Sequence, residues 1–270
     1  MAINDITLAG GMRTNLISLQ MVSTLQARTT ERLATGKRVN SAVDDPSAYF
    51  AAQNHRNRAN DLAARKDQMG EAIQTVKAAL QGIEGITKLI EQAKGLAASA
   101  RSASSTDRAA LATQFNSLRT QIDEMSNDGS YKGTNFLSSG NLTVDFNEDG
   151  SSSLTISGFD ASSAGLSIAA AQNAWVADGD IDVAVTDLDA ALTTLRTNAK
   201  TLASNNGVVT SRQEFTTQLI STLTTGADVL TAADTNEEGA NMLALQTRQQ
   251  LGIVALQLSS QAQQSIMRLF

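Results

Sequence analysis

Several short stretches carry side chains whose types and spacing could do chemistry. They are the carboxylate pairs Asp44-Asp45 and Glu237-Glu238, the run Asn147-Glu148-Asp149-Gly150, and the single histidine, His55. Adjacent carboxylates are what general acid–base work or a divalent cation would use. Yet Pro46 follows Asp45 directly, and that order is a helix start: the carboxylate caps free backbone N–H groups, and proline takes the first helical position, where its missing N–H costs nothing. Glu237-Glu238 reads as the first turn of a terminal helix, where the helix dipole favours negative charge. Asn147–Gly150 has half the ligands of a calcium loop and lacks the closing glutamate, so a hairpin turn is the expectation. His55 has no second histidine and no cysteine to work with, which removes histidine-based metal sites and a Cys/His dyad. Trp175 sits among small residues and reads as a local packing anchor. The expectation is a protein with no catalytic or metal-binding residues and no cofactor, not an enzyme.

The composition points the same way. The chain has 270 residues, 21 Lys+Arg against 27 Asp+Glu, one proline and no cysteine, and only 4% of it is aromatic. So few aromatic side chains disfavour one large spherical core and favour slender helical packing. A net charge of −6 argues against a nucleic-acid or anionic-membrane partner, which would call for a basic patch. No window approaches the ~18 consecutive apolar residues of a membrane span. Residues 1–11 carry no positively charged start and no apolar run of a secretory signal follows, so neither membrane insertion nor signal-peptide secretion is expected.

The elements that organise the chain are its two ends. Placed on a helix at about 100° per residue, residues 241–270 carry two apolar stripes. Met242, Leu245, Ile253, Leu256 and Met267 form one; Leu251, Val254, Leu258, Ala262 and Leu269 form the other. Residues 4–35 repeat the pattern, with Met12, Leu16, Leu19, Val22 and Leu33 on one side and Ile17, Met21 and Leu25 on another. A surface helix needs one apolar stripe, so a helix with two expects neighbours on two sides. The simplest arrangement pairs the ends as a coiled coil and leaves apolar surface for other copies of the chain. Gly36 is placed to end the first helix. Residues 36–45 read as a bent connector, with Lys37-Arg38 able to pair with Asp44-Asp45.

From Ser47 to about Ser99 the helical spacing returns through Met69, Ile73, Val76, Leu80 and Ile83, with an interruption conceivable near Gly82 or Gly85. Residues 102–106 form a turn, and Leu111, Phe115, Leu118, Ile122 and Met125 mark another helix. Leu142, Val144 and Phe146, then Leu154 and Ile156, alternate on either side of the Asn147–Gly150 turn, which is a β-hairpin signal. Residues 157–180 are small, polar and weakly patterned. Helical spacing resumes from about Val183 through Leu188, Leu192, Leu195, Leu202, Phe215, Leu219, Leu223 and Leu230, and Asp234-Thr235-Asn236 marks a second connector. The order is nearly palindromic. It predicts a mainly α, elongated helical rod with both chain ends at one extremity and a small β-hairpin region at the other.

Four segments then carry a family resemblance: ERLATGKRVNSAVDD (31–45), YKGTNFL (131–137), NMLALQTRQQLG (241–252) and LSSQA (258–262). In type and order they resemble bacterial flagellin, the subunit of the flagellar filament, over roughly 1–137 and 190–270. The resemblance implies an inner coiled-coil domain (D0) at about 1–36 and 235–270. It implies a spoke at 37–45 and near 231–236, in which Arg38, Asn40, Asp44, Asp45 and Pro46 fall, and a helical domain (D1) at 46–137 and 183–230. The variable insert, 138–182, would be short. The polymerisation contacts of the inner tube would be Leu16, Leu19, Val22, Leu25 and Leu33 with Met242, Leu245, Leu251, Ile253, Leu256, Leu258 and Leu269. The partners implied are copies of the chain itself, an export chaperone, the filament cap and hook-associated proteins, reached through type III export to the cell exterior. The resemblance also admits a hook–filament junction protein, which shares the terminal pattern.

Overall fold

A computed structural model describes residues 10–267 of the chain. In order it has helix α1 (Gly10–Thr35), α2 (Pro46–Arg101), α3 (Ser105–Asp128), strands β1 (Asn141–Asp145) and β2 (Ser153–Ser157), α4 (Asp178–Thr231) and α5 (Thr235–Met267). A one-turn segment, Gln172–Trp175, precedes α4. Two compact units can be told apart: Asn57–Thr222, and the described residues up to Arg56 together with those from Leu223 onward.

The unit Asn57–Thr222 holds an apolar core. On α2 the buried positions Met69, Ile73, Val76, Ala79, Ile83, Ile86, Ile90, Ala93, Ala97 and Ala100 keep the steps of three and four residues that hold one face of a helix against its neighbours. Ala112, Phe115 and Ile122 answer from α3, and Ile181, Ala184, Leu188, Ala191, Leu195, Leu202 and Val209 from α4. The α2 and α4 helices run antiparallel. Gln213 Nε2 donates to Lys66 O at 3.3 Å, Lys94 Nζ meets Asp189 at 2.5 Å, and Arg101 pairs with Asp182. The interruption expected near Gly82 or Gly85 does not occur. Those glycines instead give room to neighbours: a Cβ on Gly82 would stand 2.5 Å from Leu137 Cδ1, and one on Gly85 2.6 Å from Met125 Sδ.

The YKGTNFL turn closes the end of α3. Asn135 Nδ2 donates to the carbonyls of Ser126 (2.8 Å) and Asn127 (3.0 Å), which the helix itself leaves free, while its Oδ1 accepts from Leu137 N at 2.8 Å. Phe136 and Leu137 are then fully buried. Strands β1 and β2 pair antiparallel, with Leu142 opposite Ile156 and Val144 opposite Leu154. At the turn Asn147 Oδ1 accepts from Ser152 N (3.0 Å) and Asp149 Oδ1 from Ser151 N (3.0 Å), so the side chains that resembled half a calcium loop are engaged by the turn itself. Gly150 has φ +71°, the left-handed conformation that glycine tolerates.

The weakly patterned stretch after β2 is more ordered than its sequence suggests. Ala161, Leu166, Ile168 and Trp175 are buried in the core. Side chains of α3 pin it: Arg119 Nε donates to Ile168 O at 3.0 Å, Asp123 accepts from Ser163 N at 2.7 Å, and Asn116 Oδ1 accepts from Ala171 N at 3.1 Å. Trp175 packs on Phe115 with ring centroids 5.0 Å apart. Helix α4 begins at Asp178, earlier than the sequence pattern places it, and Phe215 and Val183, expected on its apolar face, are exposed.

Candidate self-assembly surface

In the unit formed by the chain's two ends, α1 and α5 pack antiparallel along one narrow seam. Met12, Asn15, Leu19, Val22, Gln26, Thr29 and Leu33 are buried or half-buried on α1. Their partners on α5 are Glu238, Met242, Leu245, Gln249, Gly252, Leu256 and Ser259. Both sets step alternately by three and four residues, the coiled-coil spacing, but half the positions are polar or small. The helices come close because of this. Asn15 Nδ2 donates to Gly252 O at 3.4 Å, and a Cβ on Gly252 would stand 2.6 Å from Leu19 Cδ2. Near the connectors Arg32 reaches across to Glu238, Nη1 to Oε1 at 2.7 Å, and the Glu238 side chain is only 8% exposed.

The seam sorts the predicted contact residues. Leu19, Val22 and Leu33 on α1 and Met242, Leu245 and Leu256 on α5 lie on it. Leu16, Leu25, Leu251, Ile253 and Leu258 lie off it: Leu16 and Leu25 are each 42% exposed, Ile253 46%, Leu251 64% and Leu258 68%. Leu16 and Ile253 are therefore moved out of the stripes in which the helical wheel placed them. Leu269 lies outside the described residues. Ile17, Met21, Leu243 and Val254 join the exposed set. The polar seam residues Asn15, Gln26, Thr29 and Glu238 carry no apolar mark in the sequence. Their signal was the spacing alone.

The two connectors fold onto each other. Gly36, at φ +66°, ends α1 and its carbonyl accepts from Ala233 N at 2.9 Å. Thr231 O accepts from Arg38 N (2.7 Å) and Val39 N (3.3 Å), and Lys37 bridges Ala232. Val39 is buried and anchors the bend. Asp44 does not pair with Lys37 or Arg38 as the sequence suggested. Its Oδ2 accepts from Ser41 N (3.0 Å), the Ser41 hydroxyl (3.0 Å) and Asn40 N (3.2 Å), and Arg28 stands 3.8 Å away. The Ser41 backbone bond above all, then the Ser41 hydroxyl, holds the Asp44 carboxyl below its ordinary pKa. Asp45 Oδ1 accepts from Ala48 N at 3.1 Å, the cap that Pro46 announced. Asp234 caps α5 likewise, accepting from Asn236 N (2.9 Å) and Glu237 N (3.2 Å). No helix among the described residues is long and apolar enough to cross a membrane.

Helices that spend polar residues on their internal contact and leave leucines outside describe a structural protein that associates with copies of itself. The comparisons place it more closely. The family profile of the bacterial flagellin N-terminal helical region matches residues 3–143. Flagellin FljM of Caulobacter vibrioides is 30% identical over 277 residues, and flagellin FljK of the same organism is 30% identical over 274; each alignment takes in 100% of both chains. Flagellin C of Rhizobium meliloti is 41% identical over 68 residues, covering 24% of this chain and 21% of its own. Among solved structures, Bacillus cereus flagellin aligns at 16% identity with a TM-score of 0.48, over 55% of this chain and 88% of that one. The chain belongs to the bacterial flagellin family. It is a structural subunit of the extracellular flagellar filament, the helical propeller of swimming motility, and it self-assembles.

Proposed function

We propose that the apolar residues left outside the α1–α5 seam are the contacts through which copies pack into the inner tube of the filament. Residues 1–36 and 235–270 would act as D0, 37–45 and 231–236 as the spoke, 46–137 and 183–230 as D1, and 138–182 as a short insert. One observation carries this reading: α5 already uses one face against α1, yet Leu251, Val254 and Leu258 stand 64%, 60% and 68% exposed along another. Burying such a side chain stabilises by about 1.5–3 kcal/mol. Among the described residues a single copy offers these side chains no cover. Heterologous contacts that do not close generate helical polymers, which suits a filament. By the same reading the subunit leaves the cell through type III export without a cleaved signal peptide, held by a chaperone on its C-terminal region, and polymerises beneath a cap beyond the hook-associated proteins.

The test is Leu258→Asp in the full chain. The variant keeps wild-type helicity and unfolding behaviour but forms no filaments after seeding, as judged by electron microscopy. Long filaments at the wild-type subunit concentration would remove this assignment.

A further inference from the structure

Beside the Arg32–Glu238 pair lies a cavity of about 310 Å³ whose rim includes Leu25, Arg28, Asn241 and Arg248. Its charge is unbalanced. Glu238 is the only carboxylate lining it, and its Oε1 is already spent on Arg32 at 2.7 Å. Arg28 has Asp44 only at 3.8 Å, and that carboxylate is held back by three hydrogen bonds from Ser41 and Asn40. Arg248 has no ionic partner among the described residues. Arg28 and Arg248 thus line one largely polar recess, with Leu25, Ala244 and Leu245 its apolar members, in a chain whose acidic residues outnumber its basic ones by 27 to 21. Like charges brought close together repel, and an anion between them relieves that repulsion. A guanidinium offers a planar fork of donors that matches a carboxylate, and Asn241 adds an amide to the same rim.

We propose that this recess is a receptor for a carboxylate side chain of a second copy of the chain, so that an ionic contact aligns neighbouring subunits while the apolar contacts hold them. The inference rests on the assembly reading above and deepens it. Two features single out another subunit as the source of the carboxylate. The rim residue Leu25 belongs to the exposed apolar set, so a copy seated on that set meets the recess too. The excess of acid elsewhere on the chain supplies the complementary charge. Charged contacts of this kind fix register and specificity more than they add affinity.

The experiment measures the critical concentration for seeded polymerisation of the full chain, at increasing sodium chloride, for wild type, Arg248→Gln, Arg28→Gln/Arg248→Gln, Arg248→Glu and Arg248→Lys. Helicity by circular dichroism confirms that each variant remains folded. The double variant raises the critical concentration roughly five- to tenfold at low salt, the change expected for a lost charge-assisted contact of about 1–1.4 kcal/mol. Arg248→Glu raises it further, and Arg248→Lys recovers part of the loss, since an ammonium keeps the charge without the planar fork. Wild-type assembly weakens with salt, and the double variant's salt response is nearly flat. Glutamine variants that match wild type in both critical concentration and salt response would overturn the proposal. So would a recess that takes up free acetate, seen as chemical-shift changes at Asn241 and Arg248, while the variants assemble normally: that outcome means a small-anion site only. Leu258→Asp, run alongside, separates the two ideas, because its failure to block assembly would strike the apolar contacts and leave the arginine result standing.

Discussion

The two units bury their side chains by opposite rules. Asn57–Thr222 turns Ile, Leu, Val and Ala inward at nearly every core step and leaves Val176, Val183, Val208 and Phe215 as its main exposed apolar side chains. The terminal unit fills its seam with Asn15, Gln26, Thr29, Glu238, Gln249 and Gly252 and turns Leu16, Leu25, Leu243, Leu251 and Leu258 outward. Apolar burial is the main driving force of folding. The first unit spends it within the chain; the second leaves Leu251, Val254 and Leu258 exposed, which on the proposed reading reserves them for contact between chains. A polar seam also specifies register, since an amide or an ion pair tolerates few alternatives, whereas leucines slide past one another more freely. The difference teaches that hydrophobicity marks the core of a finished assembly, which need not be the core of one chain.

Leu188 and Leu258 put that contrast to its largest test. Leu188→Ala removes a fully buried side chain from the Asn57–Thr222 core and costs about 2–5 kcal/mol in denaturant unfolding. Leu258→Ala, in the terminal unit, shifts the same transition by less than about 0.5 kcal/mol, yet raises the critical concentration for filament growth. Equal unfolding costs for the two would erase the distinction. Next comes Arg32→Ala, which leaves the carboxylate of Glu238, 8% exposed, without its partner. The cost is about 2 kcal/mol, below the range for a fully buried pair because Arg32 is itself partly exposed. It is read as faster amide exchange in α1 and α5 with the α2–α4 core unaffected.

A smaller effect sharpens the account of helix approach. Gly252→Val drives a branched side chain into Leu19 and destabilises the terminal pair by about 1–3 kcal/mol, offset in part by the better helix propensity of valine. Amide exchange confined to α1 and α5 reports it; an unchanged pattern would mean the helices are free to separate there. The smallest concerns Asp44. Its folded pKa is depressed, so its contribution is fully present above the ordinary aspartate pKa and is lost as pH falls through the lower folded value. Strong acidification therefore loosens the bend at 40–44, and Asp44→Asn removes that acid-dependent step in the amide exchange of Asn40 and Ser41.

Much of this was legible beforehand. Asp45-Pro46 announced the start of α2, the alternation around Asn147–Gly150 the hairpin, and the spacing from Met69 to Ile83 the longest helix, because each rests on local geometry that a few neighbouring residues impose. Three features were less so. Gly82 and Gly85 suggested a break, but a glycine whose Cβ space is filled by Leu137 or Met125 is retained for packing rather than for bending. Residues 157–175 gave no periodic signal, since their order comes from Arg119, Asp123 and Asn116 on a distant helix. The seam was misdrawn at Leu16 and Ile253 because a wheel at 100° per residue drifts by about 20° per heptad from the 3.5-residue period of two wound helices. Gln26, Thr29 and Glu238, being polar, show no seam in an apolar pattern.

The clasp between the connectors has a mechanical consequence. Gly36 and Thr231 each lend a carbonyl to the opposite strand, so the outgoing and returning passes of the chain form a doubled link rather than two separate tethers. A torque applied to one pass is shared at once by the other. A subunit wired in this way can flex at its bend as a pair of strands, and resists the unwinding that a single swivelling strand would allow.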